Sequence, residues 1–243
     1  MSVTIWLVAD HRSGYCPVGR EKVKSKEELP DFVIFIGDYN YAGVESVIAA
    51  LKNRHIYDST PLFGLKGGKE NIDDAFFRKY DIYDLHLKRY KDSGITLGGF
   101  GGSPAFEGTD DKFTHTQEAC SRQLGLMGGV DLFVSYNPAR FQGEEPLKPL
   151  PLPKESLLQT IGRKLRKEPS PVYGEMYTWK YARSFDGFLG VGDYIDRERP
   201  RIHLYHRRRQ GCINFDHNGT FCYRGTGVQS IVINDDFTVK KLK

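Results

Sequence analysis

Three observations predict an α/β fold with an antiparallel end for this chain of 243 residues. Short apolar runs recur along the sequence and are almost continuously apolar, which is typical of strands covered on both faces. Helical patterns lie between several of these runs. The last third alternates between apolar and polar residues around an Asn-Gly pair, which indicates a β-hairpin.

Six apolar runs predict the strands, and most of them end at or next to a glycine or a polar residue. They span residues 3–10, 31–38, 61–65, 94–100, 131–136 and 201–206. In an open α/β sheet, chemistry is carried at the carboxyl ends of the strands. The residues at the ends of these runs are therefore the first candidates for a functional site.

The clearest helix is predicted over residues 43–54. Val44, Val47, Ile48 and Leu51 recur at i, i+3, i+4 and i+7, which places them on one apolar face.

Three further elements follow from patterning. A helix is predicted over residues 116–126, and a short charged helix is predicted from residue 25 or 26 to residue 29. A hairpin and a third strand are predicted within residues 211–235, where the Asn-Gly pair supplies the turn.

Residues 138–184 interrupt the alternation of predicted strands and helices and are predicted to be an insertion. The segment begins Pro-rich and extended, continues as a basic amphipathic helix over residues 154–168, and ends aromatic and basic. Basic residues interleaved with aromatics can bind phosphates and stack bases, whereas a solvated helix face is the alternative interpretation. Nucleic acid is thus a candidate partner through Arg163, Lys164, Arg166, Lys167, Arg207, Arg208 and Arg209.

Composition limits the class of protein. The formal charge of +4 is too small to imply a nucleic-acid partner by itself. The four cysteines form no C-x-x-C pair, so no disulfide framework is implied and a reducing compartment fits. No run approaches the roughly 20 apolar residues of a membrane helix, and the first residues lack the basic start of a signal peptide. We therefore expect a cytoplasmic protein without a membrane partner.

Six segments in chain order carry a family resemblance. They are LVADHRSG, FVIFIGDYNYAG, PLFGLKGGKEN, ITLGGFGGSP, LFVSYNPAR and DGFLGVGDYIDRERPRIHLYHRRR. Together they resemble the motif series of the calcineurin-like metallophosphoesterase superfamily, which runs D-x-H, G-D-x-x-D, G-N-H-D/E, a lone His after a strand, and G-H-x-H. The resemblance covers nearly the whole chain.

The resemblance implies a single domain over residues 1–243, built as two mixed β-sheets sandwiched between helices (an αββα sandwich). In the family, two divalent metals lie between the paired sheets and activate a water against a phosphoester. This chain resembles a divergent member, because most of the residues that match metal ligands are replaced.

The resemblance also gives the candidate site residues, position by position. Three of them match ligands of the family: Asp10, Asp38 and His206. Replacements stand at Arg12, Tyr41, Gly68, Lys69, Tyr136 and Arg208. In the family, the position of Lys69 holds a His that acts as a general acid, and the position of Tyr136 holds the lone His.

Three of these six replacements are side-chain cations. Asp10 and Asp38 contribute −2, whereas Arg12, Lys69 and Arg208 contribute +3. Arg and protonated Lys have no lone pair for a metal, and beside the same carboxylates they repel divalent ions. We therefore expect no metal. The alternative is manganese or another divalent metal held by the three retained ligands.

Two outcomes of the substitutions stay open. In the first, the cations only pair with the carboxylates and keep the cavity folded, since an unpaired buried carboxylate would cost several kcal/mol. In the second, they also bind phosphate, because Arg forks suit phosphate oxygens and the glycines Gly67 and Gly68 let backbone N–H groups approach.

The predicted function follows from these outcomes. We expect a catalytically inactive protein that binds a phosphate-containing ligand, such as a nucleotide or nucleic acid, or a protein partner. The alternative is an active metal-dependent phosphoesterase with unusual or single-metal ligation.

The remaining histidines and Cys120 give weaker signals. His11 is a candidate for a shifted ligand. His203 and His206 are three residues apart on a predicted strand and so face opposite sides, and we expect His203 to be a packed or surface residue. His115 is expected to be solvated or to cap a helix. Cys120 lacks the partner motif of a nucleophile.

Overall fold

The computed structural model describes residues 2–9, 11, 16, 29–37, 39–67, 74–105, 113–144, 187–206 and 214–241. Within these ranges the chain forms two six-stranded sheets, one two-stranded sheet and four α-helices. No helix in them is long and apolar enough to cross a membrane.

The elements are numbered in chain order. The strands are β1 (Val3–Ala9), β2 (Phe32–Ile36), β3 (Leu62–Leu65), β4 (Ile82–Asp84), β5 (Arg89–Asp92), β6 (Ile95–Phe100), β7 (Ser103–Pro104), β8 (Thr114–His115), β9 (Leu132–Ser135), β10 (Ile202–Tyr205), β11 (Asn214–His217), β12 (Thr220–Arg224), β13 (Gly227–Ile233) and β14 (Val239–Lys241). The helices are α1 (Tyr41–Asn53), α2 (Asp74–Lys79), α3 (Gln117–Gly125) and α4 (Leu189–Glu198).

Both large sheets are mixed. The first has the order β14-β13-β1-β2-β3-β4, in which β1 to β4 are parallel and β13 is antiparallel to β1. The second has the order β11-β12-β10-β9-β6-β5, in which the four inner strands are parallel and the two outer strands are antiparallel to their neighbours. Strands β7 and β8 form a small parallel pair.

The two large sheets pack face to face, as the αββα prediction requires. Their inner faces share one apolar core, to which Ile5 and Ile34 contribute from the first sheet and Val134 and Leu204 from the second. Helices α1 and α2 cover the outer face of the first sheet, and α3 and α4 cover that of the second. Strands such as β1 are buried on both faces along their whole length, which explains why their sequences are almost continuously apolar.

Helix α1 confirms the predicted amphipathic pattern. All four predicted face residues are buried against the first sheet. The helix begins after Asn40, whose side-chain oxygen accepts a hydrogen bond from the Gly43 amide at 2.8 Å. This N-cap satisfies one of the amides that the first turn leaves without a helical partner.

The C-terminal hairpin is confirmed, but the strand that follows it joins the other sheet. Strands β11 and β12 pair antiparallel across Asn218-Gly219, both with positive φ, as a tight hairpin turn requires. Only Gly225 and Thr226 separate β12 from β13, which pairs with β1. At Gly225 an added Cβ would lie 2.6 Å from a methyl carbon of Leu7, so a larger residue at this crossing between the sheets would require the Leu7 side chain to shift.

The predicted elements can be compared with the structure only where they fall within the described residues. The six predicted strands and the helix over residues 116–126 are present, each within a few residues of its predicted ends. Strands β4, β5 and β14 were not predicted, because their sequences contain no continuous apolar run. Most of the predicted insertion, residues 145–184, including its basic helix, lies outside the described residues, as do residues 25–28 of the short charged helix.

Candidate functional site

The carboxyl ends of parallel strands from both sheets meet at one edge of the sandwich, called here the carboxyl edge. The Gly102 amide, after β6, donates to the Lys66 carbonyl, after β3, at 2.8 Å. Tyr136, after β9, packs its ring on Gly37, after β2. Gly225 donates to the last carbonyl of β10 and packs on the side chains at the end of β1. The ends of three strands from each sheet therefore face one another.

Two of the eight predicted site residues, Tyr136 and His206, lie within the described residues, and the structure brings them together. Their ring centroids are 6.1 Å apart at an interplanar angle of 30°. The Tyr136 side chain is fully buried, and its ring belongs to the core between the sheets. His206 is half-buried, and its Nδ1 lies 3.1 Å from the Gly225 carbonyl, to which it donates a hydrogen bond.

The other predicted residues lie outside the described ranges, although each is a near neighbour in sequence of a strand end. They are Asp10, Arg12, Asp38, Gly68, Lys69 and Arg208. The basic residues Arg163, Lys164, Arg166, Lys167, Arg207 and Arg209 also lie outside these ranges. The charge compensation among these side chains therefore stays a prediction.

Tyr41, the remaining replaced position, lies at the start of α1. Its ring packs edge-on against Phe76 of α2, with the centroids 4.5 Å apart, and the residue is 46% exposed. The side chain thus belongs to the contact between the two outer helices of the first sheet.

A buried polar network supports the turn that presents Tyr136. The Ser135 hydroxyl donates to the Asn137 carbonyl, so its oxygen accepts from His203 Nε2 at 2.7 Å. His203 is fully buried, as expected for a packed residue, and burial lowers its pKa to about 3. Its Nδ1 has no hydrogen-bond partner among the described residues. His203 therefore acts as a neutral structural residue beneath the carboxyl edge.

His11 and Cys120 also have structural surroundings. His11 Nε2 lies 3.1 Å from the Ser46 hydroxyl of α1, and burial lowers the pKa of the ring. Cys120 is fully buried in α3, and burial raises the pKa of its thiol far above the ordinary value. A thiol in such surroundings stays protonated and unreactive.

Lys66 is a residue of the carboxyl edge that the sequence did not single out. Its ammonium pairs with Asp74, the first residue of α2, and lies 5.2 Å and 4.9 Å from the ring centroids of Phe77 and Phe113. The Lys66 side chain is only 11% exposed. The signal available in the sequence was its position directly after a strand.

His86 and His115 form a second feature that the sequence did not predict. Their rings stack at 5.3 Å with an interplanar angle of 15°, beside the ring of Phe100. The Gly101 amide donates to His86 Nδ1 at 3.1 Å, which ties the stack to the end of β6. The expectation that His115 is solvated or caps a helix was wrong, because Thr116 caps α3 and His115 is half-buried.

These surroundings keep both imidazoles neutral. Burial is the largest cause that lowers the pKa of His86 to about 4, and the electrostatic effect of His115 lowers it further. Asp84 acts in the opposite direction, and Lys66 and Lys88 add smaller lowering effects. Burial also lowers the pKa of His115.

Asn137 completes the described part of the edge. Its side-chain nitrogen donates to the Gly102 carbonyl at 2.6 Å, and the residue is 1% exposed. Its Oδ1 has no hydrogen-bond partner among the described residues. Gly102 itself has a φ of +91° and lies against His115, a conformation that favours glycine.

Solved structures share the fold of this chain, whereas no protein-family model and no curated protein matches it. The structure of TT1561 of Thermus thermophilus is 12% identical, covers 100% of this chain and 99% of its own, and has a TM-score of 0.59. A second crystal structure is 13% identical, covers the same shares of the two chains and has a TM-score of 0.57. The likeness is one of fold.

A third solved structure is more distant. The phosphopantetheinyl hydrolase PptH from Mycobacterium tuberculosis is 12% identical and covers 91% of this chain and 88% of its own. Its TM-score of 0.44 is too low to support a conclusion about this chain.

Proposed function

We propose that this chain binds a phosphate-containing ligand at the carboxyl edge, without a metal and without hydrolysing it. The proposal treats the chain as a metallophosphoesterase-like sandwich in which side-chain cations have replaced the two metals. It combines the family resemblance of the sequence with the described geometry of the edge.

The buried ring of Tyr136 carries the proposal. At the position where the resembling family has a His ligand, this chain has a fully buried phenol ring packed on Gly37, near His206. Two metals about 3.5–4 Å apart need ligands from several strand ends around one open volume. The ring occupies space between the ends of β2 and β10, and a phenol ring at the position of a His ligand supports an edge without two metals.

Charge supports an anionic ligand. Lys66 places a cation directly after β3. In the sequence, Lys69 follows the same strand, Arg12 follows β1 and Arg208 follows β10. A cation next to strand-end backbone amides is suited to phosphate oxygens. Phosphate is the anion that the resembling fold binds at this edge.

The test is ligand binding in EDTA. Thermal shift and calorimetry with inorganic phosphate, nucleotides and short oligonucleotides should show that at least one ligand stabilises the protein as its concentration rises. The affinity should fall with added salt, because the attraction is between charges. Lys69→Ala should weaken the binding, and Lys91→Ala, which removes an exposed lysine from β5, is the matched control.

Metal analysis separates this proposal from its alternative. Stoichiometric metal in the purified protein, together with manganese-dependent turnover of a phosphodiester, would show an active enzyme that uses Asp10, Asp38 and His206. Binding that occurs only after manganese is added would also contradict the metal-free site. If no phosphate compound binds with or without metal, a protein partner becomes the better hypothesis for this edge.

A further inference from the structure

Lys66 holds a positive charge at a fixed place on the carboxyl edge. It is the first residue after β3, and its carbonyl accepts a hydrogen bond from the Gly102 amide after β6. Its side chain is 11% exposed, and the ammonium lies about equally far from the rings of Phe77 and Phe113, at 5.2 Å and 4.9 Å. Aromatic rings at such distances attract a cation and restrict its stem. The charge is therefore positioned before any ligand arrives.

The carboxylate that pairs with Lys66 is much more exposed than the lysine. Asp74 carries a side chain that is 71% exposed. The hydrogen bond from Lys66 is the largest cause that lowers the pKa of Asp74. An exposed carboxylate is well hydrated by itself and gains little from such a pair, whereas a largely buried ammonium needs an anionic partner. The lysine therefore depends on the pair more than the aspartate does.

Asn137, which is linked to Lys66 through Gly102, has a polar atom without a partner among the described residues. Asn137 donates to the carbonyl of Gly102, the residue whose amide donates to Lys66. The Asn137 side chain is buried, and its Oδ1 has no partner among the described residues. A buried polar oxygen without a protein partner is normally satisfied by a water or by a ligand. The edge thus has both a held cation and an acceptor that a ligand hydroxyl or a bridging water would satisfy.

We propose that Lys66 is a ligand-binding cation of the carboxyl edge, and that Asp74 is an internal counter-ion which the phosphate of the ligand displaces. This inference rests on the proposed function and names the class of ligand. A phosphate monoester carries a charge of about −1.5 to −2 at pH 7, whereas a carboxylate or a phosphodiester carries one negative charge. The monoester is therefore the phosphate that displaces Asp74, and the site prefers monoesters to diesters.

The test compares two matched variants and two matched ligands. Asp74→Asn removes the counter-ion. Glu45→Gln removes the same charge from a residue that pairs with Lys79 of α2 at 3.8 Å, away from Lys66. Calorimetry in EDTA at fixed ionic strength measures the Kd for methyl phosphate and for dimethyl phosphate.

Methyl phosphate should bind Asp74→Asn about two- to fivefold more tightly than the wild type, the gain expected when an exposed carboxylate no longer competes for the cation. Glu45→Gln should bind like the wild type. Lys66→Gln should bind at least about tenfold more weakly, because a charge-assisted hydrogen bond is lost. Dimethyl phosphate should bind more weakly than methyl phosphate to the wild type.

Other results would overturn the inference. If Asp74→Asn and the wild type bind methyl phosphate equally, or if Glu45→Gln tightens binding as much, Asp74 is no counter-ion of the site, and the proposed function stands without it. If neither the wild type nor Asp74→Asn binds any phosphate compound, the proposed function fails as well. The comparison of Asp74→Asn with Glu45→Gln does not require Lys66→Gln to fold.

Discussion

Gly37 and Tyr136 show how a single pair of residues shapes the carboxyl edge. Gly37 has a φ of +65°, and a Cβ there would overlap the Tyr136 ring. The ring is fully buried in the core between the sheets. Two features thus require a glycine before Asp38: the backbone conformation at this position and the aromatic side chain that lies on it.

Gly37→Ala should therefore destabilise the protein by about 2–4 kcal/mol, of which about 1–2 kcal/mol is the left-handed conformation and the rest is overpacking against the ring. In a Tyr136→Ala background the same substitution should cost only the conformational part. Urea denaturation of the four proteins gives the coupling free energy. Gly125→Ala, in α3 with no atom near the added Cβ, is the control and should be neutral or slightly stabilising. Equal costs of Gly37→Ala in both backgrounds would contradict the assigned contact.

At the scale of elements, the His86–His115 stack joins segments that the sheets alone do not connect. His86 lies between β4 and β5, His115 ends β8, and the Phe188 ring before α4 lies 6.4 Å from the His115 ring. The charged groups that act on His86 are Asp84, Lys66 and Lys88. A proton on His86 would add a second positive charge near Lys66, and a proton on His115 would be opposed by burial, so the stack favours two neutral imidazoles.

This arrangement predicts a loss of stability in mild acid. The folded-state pKa of His86 is lowered to about 4, whereas an unfolded histidine has a pKa of about 6.5. Between these values the unfolded chain binds more protons, so the free energy of unfolding falls as the pH falls from about 6.5 towards 4. Urea denaturation at pH 7, 6, 5 and 4.5 should show a shallower pH dependence for His86→Asn than for the wild type. His55→Asn, at an exposed position, is the control for the loss of an imidazole. An unchanged slope in His86→Asn would contradict the buried neutral ring.

At the scale of the whole molecule, the sandwich brings the ends of strands from two sheets to a common edge. The inter-sheet contacts of Gly102, Tyr136 and Gly225 hold that edge together. A site built in this way depends on many strand ends at once. A substitution in one motif alone should therefore not convert a metal-free binding site into a metal-dependent hydrolytic site.

The double substitution Gly68→Asn and Lys69→His restores the third family motif and tests this dependence. It should not produce hydrolysis, because Arg12, Tyr136 and Arg208 remain. The measurement is turnover of a phosphodiester with added manganese, together with the metal content of the purified variant. Metal-dependent turnover in the double variant, absent from the wild type, would show that the third motif alone separates this chain from an active enzyme.

Most of the fold could be predicted from the sequence, whereas only part of the candidate site could be. The strands are recognisable because apolar runs such as Val3–Ala9 are buried on both faces. The stack of His86 on His115 and the pair of Lys66 with Asp74 were not predictable, because a periodic pattern carries no information about which loops meet. The crossing of β13 to the first sheet was missed for the same reason, since an alternating pattern fits either sheet.

The sequence by itself determined where most strands and helices lie, which strand ends carry polar residues, and that three cations stand at positions matched to site residues of the resembling family. These properties depend on residue type and on residues close in sequence, and both can be read from the sequence directly. Tertiary structure alone decided that the ends of β2 and β9 face each other, that Tyr136 is buried on Gly37, and that Lys66 is a cation held at this edge by aromatic rings. Those contacts join residues far apart in sequence, and only the packing of the two sheets brings them within reach.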